Sequence, residues 1–227
     1  EPAGERTVGG FPIRVPSLDV HTIGAGGGSI ARIDPGGALT VGPQSAGAVP
    51  GPVCYGQGGT DLTVTDANLM VGRISADQAF PGLGQLDVAG TRGAFDRTGI
   101  DPAGVLRVVE AAMERALRTV TVARGVDPGG LALVAFGGAG PLHACGLADA
   151  LGMTAVIVPP RAGVLSAVGL LGAPRQHDAV RSWPTPADHA GLEPALAELA
   201  ADAGRVVGNA EVTTAVECRY AGQSHEL

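Results

Sequence analysis

Residues 131–160, LALVAFGGAGPLHACGLADALGMTAVIVPP, constrain the fold more than any other stretch of the chain. Leu131 to Phe136 reads as a buried strand, GGAG as a tight turn, and PLHACGLADALG as a helix with proline at its first position and a closing glycine. TAVIVPP is then a second strand, stopped by two prolines. A strand, a helix and a strand in such close succession form a crossover, the unit that builds a parallel sheet. The expected class is therefore α/β.

The flanks extend this pattern. DPAGVLRVVEAAMERALRTVTVARG, residues 101–125, has an Asp cap, Pro102 in the first turn and Gly125 at the end. Val105, Val109, Ala112, Met113, Ala116 and Val120 recur at helical spacing and define one apolar face, with arginines elsewhere. Downstream, GVLSAVGLLG is expected to be a short helix, RQHDAVRSW extended, EPALAELAADAG a helix and EVTTAVECRY a last strand. Residues 1–100 differ, being Gly/Pro-rich strand and loop. DVHTIG and SIARID alternate as strands do, and ALTVG after Pro35-Gly36-Gly37 reads as the return arm of a hairpin. AGAVPGPVCYGQGGT, residues 46–60, holds too many glycines and prolines for a regular element, and Thr65-Asp66 opens a short helix over DANLMVG.

Composition limits the function classes. The 227 residues suffice for one large domain or two small ones, and with aromatics at 3% the core must come from Val, Leu, Ile and Ala. A net charge of -7 without a basic cluster argues against nucleic acid as a partner. No apolar run reaches the roughly 20 residues of a membrane span and no leader pattern is visible, so a cytoplasmic protein is expected. Cys54, Cys145 and Cys218 are too widely spaced for a disulfide framework or zinc ribbon. All 15 basic residues are arginine. Without lysine, neither a P-loop nor Schiff-base chemistry can reside in this chain.

Two glycine turns are candidates for a binding role. Gly137, Gly138, Ala139 and Gly140 stand between a strand and a helix whose free amides point back at the turn, as a nucleotide site requires. A close strand–helix packing turn without a ligand has the same pattern. In HTIGAGGGSI, the run Gly26, Gly27, Gly28, Ser29 precedes a strand and not a helix, so it is either an anion-binding nest or a structural corner. Asp19 and His21, two apart on one strand face, could move a proton or ligate a metal. His143 near the second turn, Cys54-Tyr55 in the glycine loop, Asp66 as a helix cap and Arg161 after two prolines complete the candidates.

Taken together, DVHTIGAGGGSIARID, VGPQSAGAVPGPVCYGQGGTDLTVTDANLMVGRI, LVAFGGAGPLHACGLADALGM and VIVPPRAGVLSAVGLL resemble the hydantoinase A/oxoprolinase family, from about Val15 to Gly172. That family includes ATP-dependent N-methylhydantoinase, 5-oxoprolinase and subunits of acetone and acetophenone carboxylases. The resemblance implies a ribonuclease-H-like lobe of the acetate and sugar kinase, heat-shock chaperone and actin superfamily, a mixed sheet with flanking helices. It implies that Gly137 to Gly140 and His143 lie on the adenosine side of ATP. Mg-ATP would phosphorylate an amide or carbonyl oxygen, after which water opens a cyclic amide or carbon from bicarbonate is captured by a ketone. A second metal is left unspecified.

Further expectations come with that resemblance. The partners implied are a small cyclic amide or ketone, a B-type subunit or domain, and further copies of the chain. The family's N-terminal lobe and its DxGGTxxD-like phosphate hairpin have no counterpart in this sequence. The chain, 1–227, is thus expected to be the C-terminal lobe of a longer enzyme and not to turn over alone. A non-catalytic assembly module is the contrasting expectation. Gly26 to Ser29 would line the cleft as a substrate or phosphate corner, with Asp19 and His21 as catalytic candidates. Gly27→Val is then expected to abolish activity while leaving folding intact.

Overall fold

The computed structural model describes residues 6–8, 11–13, 20–183, 188–208, 211–218 and 220. The chain divides into two compact units, Glu1–Ala167 and Val168–Leu227.

In the first unit, strands β1 (Arg6–Val8) and β2 (Phe11–Ile13) pair antiparallel. Strands β3 (Ser29–Ile33) and β4 (Leu39–Ser45) form the expected hairpin, closed by Asp34, whose carboxylate accepts from the amides of Gly36 and Ala38. The loop at 46–60 contains one short 3-10 turn, Val53–Tyr55. Helix α1 (Val64–Met70) starts two residues earlier than the expected DANLMVG. The cap is Thr63, and Asp66 stands at the third helical position of a reciprocal capping box. Strands β5 (Ala79–Phe80) and β6 (Gly84–Gln85) then make a minimal ribbon.

Helix α2 (Val88–Thr98) is absent from the sequence-based expectation. Its two internal glycines, Gly90 and Gly93, lower helix propensity and dilute the apolar stripe. The Asp87 side chain accepts from Gly90 N, Gly99 closes the end in the left-handed region, and Ala94 and Phe95 are buried. Capping and tertiary burial override the weak local signal. Helix α3 (Pro102–Val120) follows the expected pattern, with Asp101 accepting from the amides of Ala103 and Gly104. It ends at Thr121, and a 3-10 turn carries the chain to Gly125.

The core of this unit joins β3, α1, α2 and α3 through Ala31, Leu62, Val64, Ala67, Phe95, Ile100, Val105, Leu106 and Val109. Each buried Val, Leu or Phe contributes about 1.5–3 kcal/mol through removal from water. The crossover is present as β7 (Ala132–Val134), α4 (Gly140–Leu151) and β8 (Ala155–Ile157), with β7 and β8 parallel in register. The strand expected to be buried is not. Val134 is 52% and Ile157 50% exposed, because α4 packs on this two-stranded pair and no described element covers the opposite face. Parallel strands are ordinarily covered on both faces.

Helix α5 spans Leu165–Gly172. In the second unit, helix α6 (Leu192–Val207) is held by an Arg181–Glu198 ion pair at 2.9 Å, and Trp183 Nε1 donates to the Asp188 carbonyl. The expected last strand over EVTTAVECRY does not form: residues 211–218 are exposed and pair with no strand, so their β-branched side chains have no surface to pack on. No helix among the described residues is long and apolar enough to cross a membrane.

Candidate functional site

The two glycine turns, far apart in sequence, are adjacent in space. A Cβ built on Gly27 would lie 3.8 Å from the Cβ of Ala139. Neither periodicity nor spacing could have revealed this, since it depends on how α1 and α4 pack.

The first turn is closed on itself. Ser29 N donates to the Gly26 carbonyl at 3.0 Å, and Gly26 N donates back to Ser29 Oγ at 2.9 Å, with Ser29 only 4% exposed. The Gly27 carbonyl accepts from both Thr65 N at 2.8 Å and Thr65 Oγ1 at 2.9 Å. Gly28 O accepts from Ala46 N. A Cβ on Gly27 would stand 2.8 Å from Thr65 Oγ1, and one on Gly28 2.8 Å from Ser45 Oγ. These glycines are therefore fixed by close packing. Gly27→Val cannot be the fold-neutral probe that the sequence suggested.

The second turn is open. Gly137 lies at φ +84° and donates to the Ala162 carbonyl, and a Cβ added at Gly137, Gly138 or Gly140 would meet no atom within 4 Å. The residue before α4 is Ala139, which offers no side-chain cap, and Pro141 has no amide to give. The amides of Gly138, Ala139 and Gly140 consequently have no partner among the described residues. Three free donors at the positive end of a helix make a surface suited to an anion.

Beneath the turns lie two buried polar networks. The Asp66 carboxylate accepts from Val53 N, Cys54 N, Thr63 N and Thr63 Oγ1, tying the glycine-rich loop to the start of α1. Cys54 is fully buried, and desolvation, followed by the charge of Asp66, pushes its thiol far above the ordinary range. It is an inert packing group, and burial likewise raises the Tyr55 phenol.

The second network surrounds His143, which is 0% exposed. Its Nδ1 lies 3.0 Å from Glu110 Oε1, which also accepts from Arg73 Nη1 at 2.5 Å. Its Nε2 lies 3.4 Å from Asn68 Nδ2, and that amide also donates to the Val64 carbonyl. Nδ1 also lies 3.2 Å from Arg73 Nη1, which can only donate, so this ring nitrogen stands between the Glu110 acceptor and the Arg73 donor, and the tautomer decides which of the two it pairs with. Asn68 Oδ1 is buried without a partner.

The remaining candidates are scattered. His21 is exposed in an irregular segment, residues 20–23 forming no strand, and Asp19 lies outside the described residues. Arg161 is exposed in the left-handed region at φ 63°, next to the Ala162 carbonyl that holds Gly137. The sequence reading missed Thr65, Asn68, Arg73 and Glu110. The one available signal was the run of polar residues in TVTDAN at the start of an otherwise apolar helix. No group of three or more His, Cys, Asp or Glu able to hold a metal exists among the described residues.

Residues 1–179 match the family described as hydantoinase/oxoprolinase, and the chain belongs to that family. The crystal structure of the ATP-dependent caprolactamase from Pseudomonas jessenii is 35% identical, with a TM-score of 0.66 over 95% of this chain and 34% of that one. 5-oxoprolinase 1 of Arabidopsis thaliana is 41% identical over 73% of this chain and 15% of its own length. The nucleotide-free acetone carboxylase, solved in work on ATP-dependent acetone carboxylation, is 30% identical, with a TM-score of 0.64 over 81% of this chain and 28% of that one. The chain spans about a third of the length of the curated relatives it matches nearly end to end.

Proposed function

We propose that this chain is one lobe of an ATP-dependent hydrolase that opens a cyclic amide of the hydantoin or 5-oxoproline type. The observation that carries the reading is the open Gly137–Gly140 turn, with three free amides, set against the closed Gly26–Ser29 corner. ATP, when bound, would supply the phosphoryl group that, placed on the amide oxygen, makes the amide carbon a better electrophile for the water that opens the ring, the ring nitrogen leaving. The turn's contribution is to bind and orient: glycine backbone allows close approach, and the free amides of Gly138, Ala139 and Gly140 face negative charge without reorganising. Gly26 to Ser29 form a rigid wall beside it, with the amides of Gly27 and Gly28 as further unpaired donors among the described residues. His143 touches no ligand in this reading, since it is enclosed on all sides.

Among the described residues no group of three or more His, Cys, Asp or Glu gathers, so magnesium is assigned no ligand among them, and His21 no step. In the same reading β7, α4 and β8 belong to a ribonuclease-H-like sheet, which accounts for the apolar strand face left uncovered at Val134 and Ile157. The remaining strands, the phosphate hairpin and a B-type partner subunit or domain would complete the site.

A second reading, a carboxylase subunit, is favoured by the likeness to acetone carboxylase. ADP release by the full-length protein separates the two. Release with hydantoin or 5-oxoproline alone is the expected result. Release only with acetone and bicarbonate together would move the chain to the carboxylases, and none with any of them would leave it a non-catalytic assembly lobe.

A further inference from the structure

We propose that Arg73, Glu110, His143 and Asn68 form a crossbar that sets the spacing between the two glycine turns, with His143 as a positioning residue; the consequence for ATP rests on the reading above. His143 is in the first turn of α4, three residues after Gly140, so any displacement of the imidazole carries the amides of Gly138 to Gly140 with it. Asn68 is on α1 three residues after Thr65, the residue that grips the Gly27 carbonyl from both its amide and its hydroxyl. The His143–Asn68 contact therefore bridges the two helices that carry the turns.

Glu110 supplies the third anchor, from α3. Its Oε1 accepts from Arg73 Nη1 and lies 3.0 Å from His143 Nδ1, Arg73 Nη1 is itself 3.2 Å from that Nδ1, and Arg73 N donates to the Asn68 carbonyl. The circuit returns to its starting residue and joins α1, α3 and α4. An apolar contact at this place would permit α4 to slide along its neighbours, whereas directional hydrogen bonds around the buried His143 and Asn68 select one relative position. Fully burying Asn68 and His143 is unfavourable unless their polar atoms are paired, and Asn68 Oδ1 stays unpaired even so. A fold needing only to fill this space would have been served as well by leucines. Specification of position is the function that a polar crossbar adds.

The test uses the full-length protein with Glu110→Gln, His143→Gln and the milder Arg73→Gln, which changes a partly exposed member. Hydrogen exchange is followed in peptides covering 24–30 and 137–143, alongside the KM for ATP and kcat. Expected are faster exchange confined to those two turns and a KM for ATP raised about tenfold with kcat little changed, as small misplacements of binding groups produce. Faster exchange at the turns with unaltered ATP kinetics, or with no ATP turnover in the parent, would uphold the crossbar and sink the nucleotide reading. Unchanged exchange at both turns, or exchange raised uniformly through the chain with a fall in Tm in all three variants, would overturn the crossbar itself.

Discussion

The Gly26–Ser29 corner and the Gly137–Gly140 turn are built from nearly the same residues and have glycine for opposite reasons. In the corner, Gly27 and Gly28 are confined: their carbonyls are taken, and a Cβ would press on Thr65 or Ser45. In the turn, a Cβ at Gly138 or Gly140 would meet empty space, and the amides there are free. Among the described residues nothing requires glycine at Gly138, whose φ lies outside the left-handed range. In the proposed reading, that freedom serves the close approach of a nucleotide to the backbone.

The contrast can be broken at the corner by substitutions of decreasing severity. Asp66→Ala should be the most damaging. It leaves the amides of Val53, Cys54 and Thr63 without their acceptor and loosens the start of α1, at a cost of roughly 3–5 kcal/mol. Thermal melting should show a large loss of Tm, and a Tm close to that of the parent would contradict the buried network. Next, Gly27→Val should lower stability by about 3 kcal/mol, combining overpacking against Thr65 Oγ1 with a weakened Thr65 hydrogen bond. An unchanged Tm would make the corner as open as the other turn, and the comparison would fail.

Smaller again, Gly28→Ala should cost about 1 kcal/mol, because its Cβ presses closely only on the Ser45 hydroxyl, the Gly47 backbone lying at ordinary contact distance. The double variant Gly28→Ala/Ser45→Ala should recover most of that loss in the same melting experiment. Absence of recovery would place the strain elsewhere.

Legibility in the sequence followed the range of the forces involved. The β3–β4 hairpin, α3, α4 and the parallel β7–β8 pair were readable because turn residues, caps and apolar periodicity act locally. Helix α2 was not, since Gly90 and Gly93 mask it and the burial of Phe95 stabilises it from a distance. The final strand failed for the converse reason: Val212, Thr213, Thr214 and Val216 carry β propensity but are exposed and pair with no strand among the described residues.

The site divides the same way. Both glycine turns were visible as motifs, yet their adjacency through Ala139 and the crossbar from Asn68 to Glu110 arise from helix packing, which no single segment encodes. His21 illustrates the limit of a period-two argument, because residues 20–23 form no strand, and Asp19 lies outside the described residues.

The central claim is that the Gly137–Gly140 turn is open for a ligand and not for the fold, and Gly138→Val in the full-length protein tests it most directly. The added side chain meets no protein atom at its Cβ, so Tm should stay within about 1 °C, consistent with a shift below roughly 0.5 kcal/mol. The KM for ATP should rise by about a hundredfold as backbone approach is blocked. A fall in Tm with unaltered ATP kinetics would contradict the account and return the turn to a purely structural role.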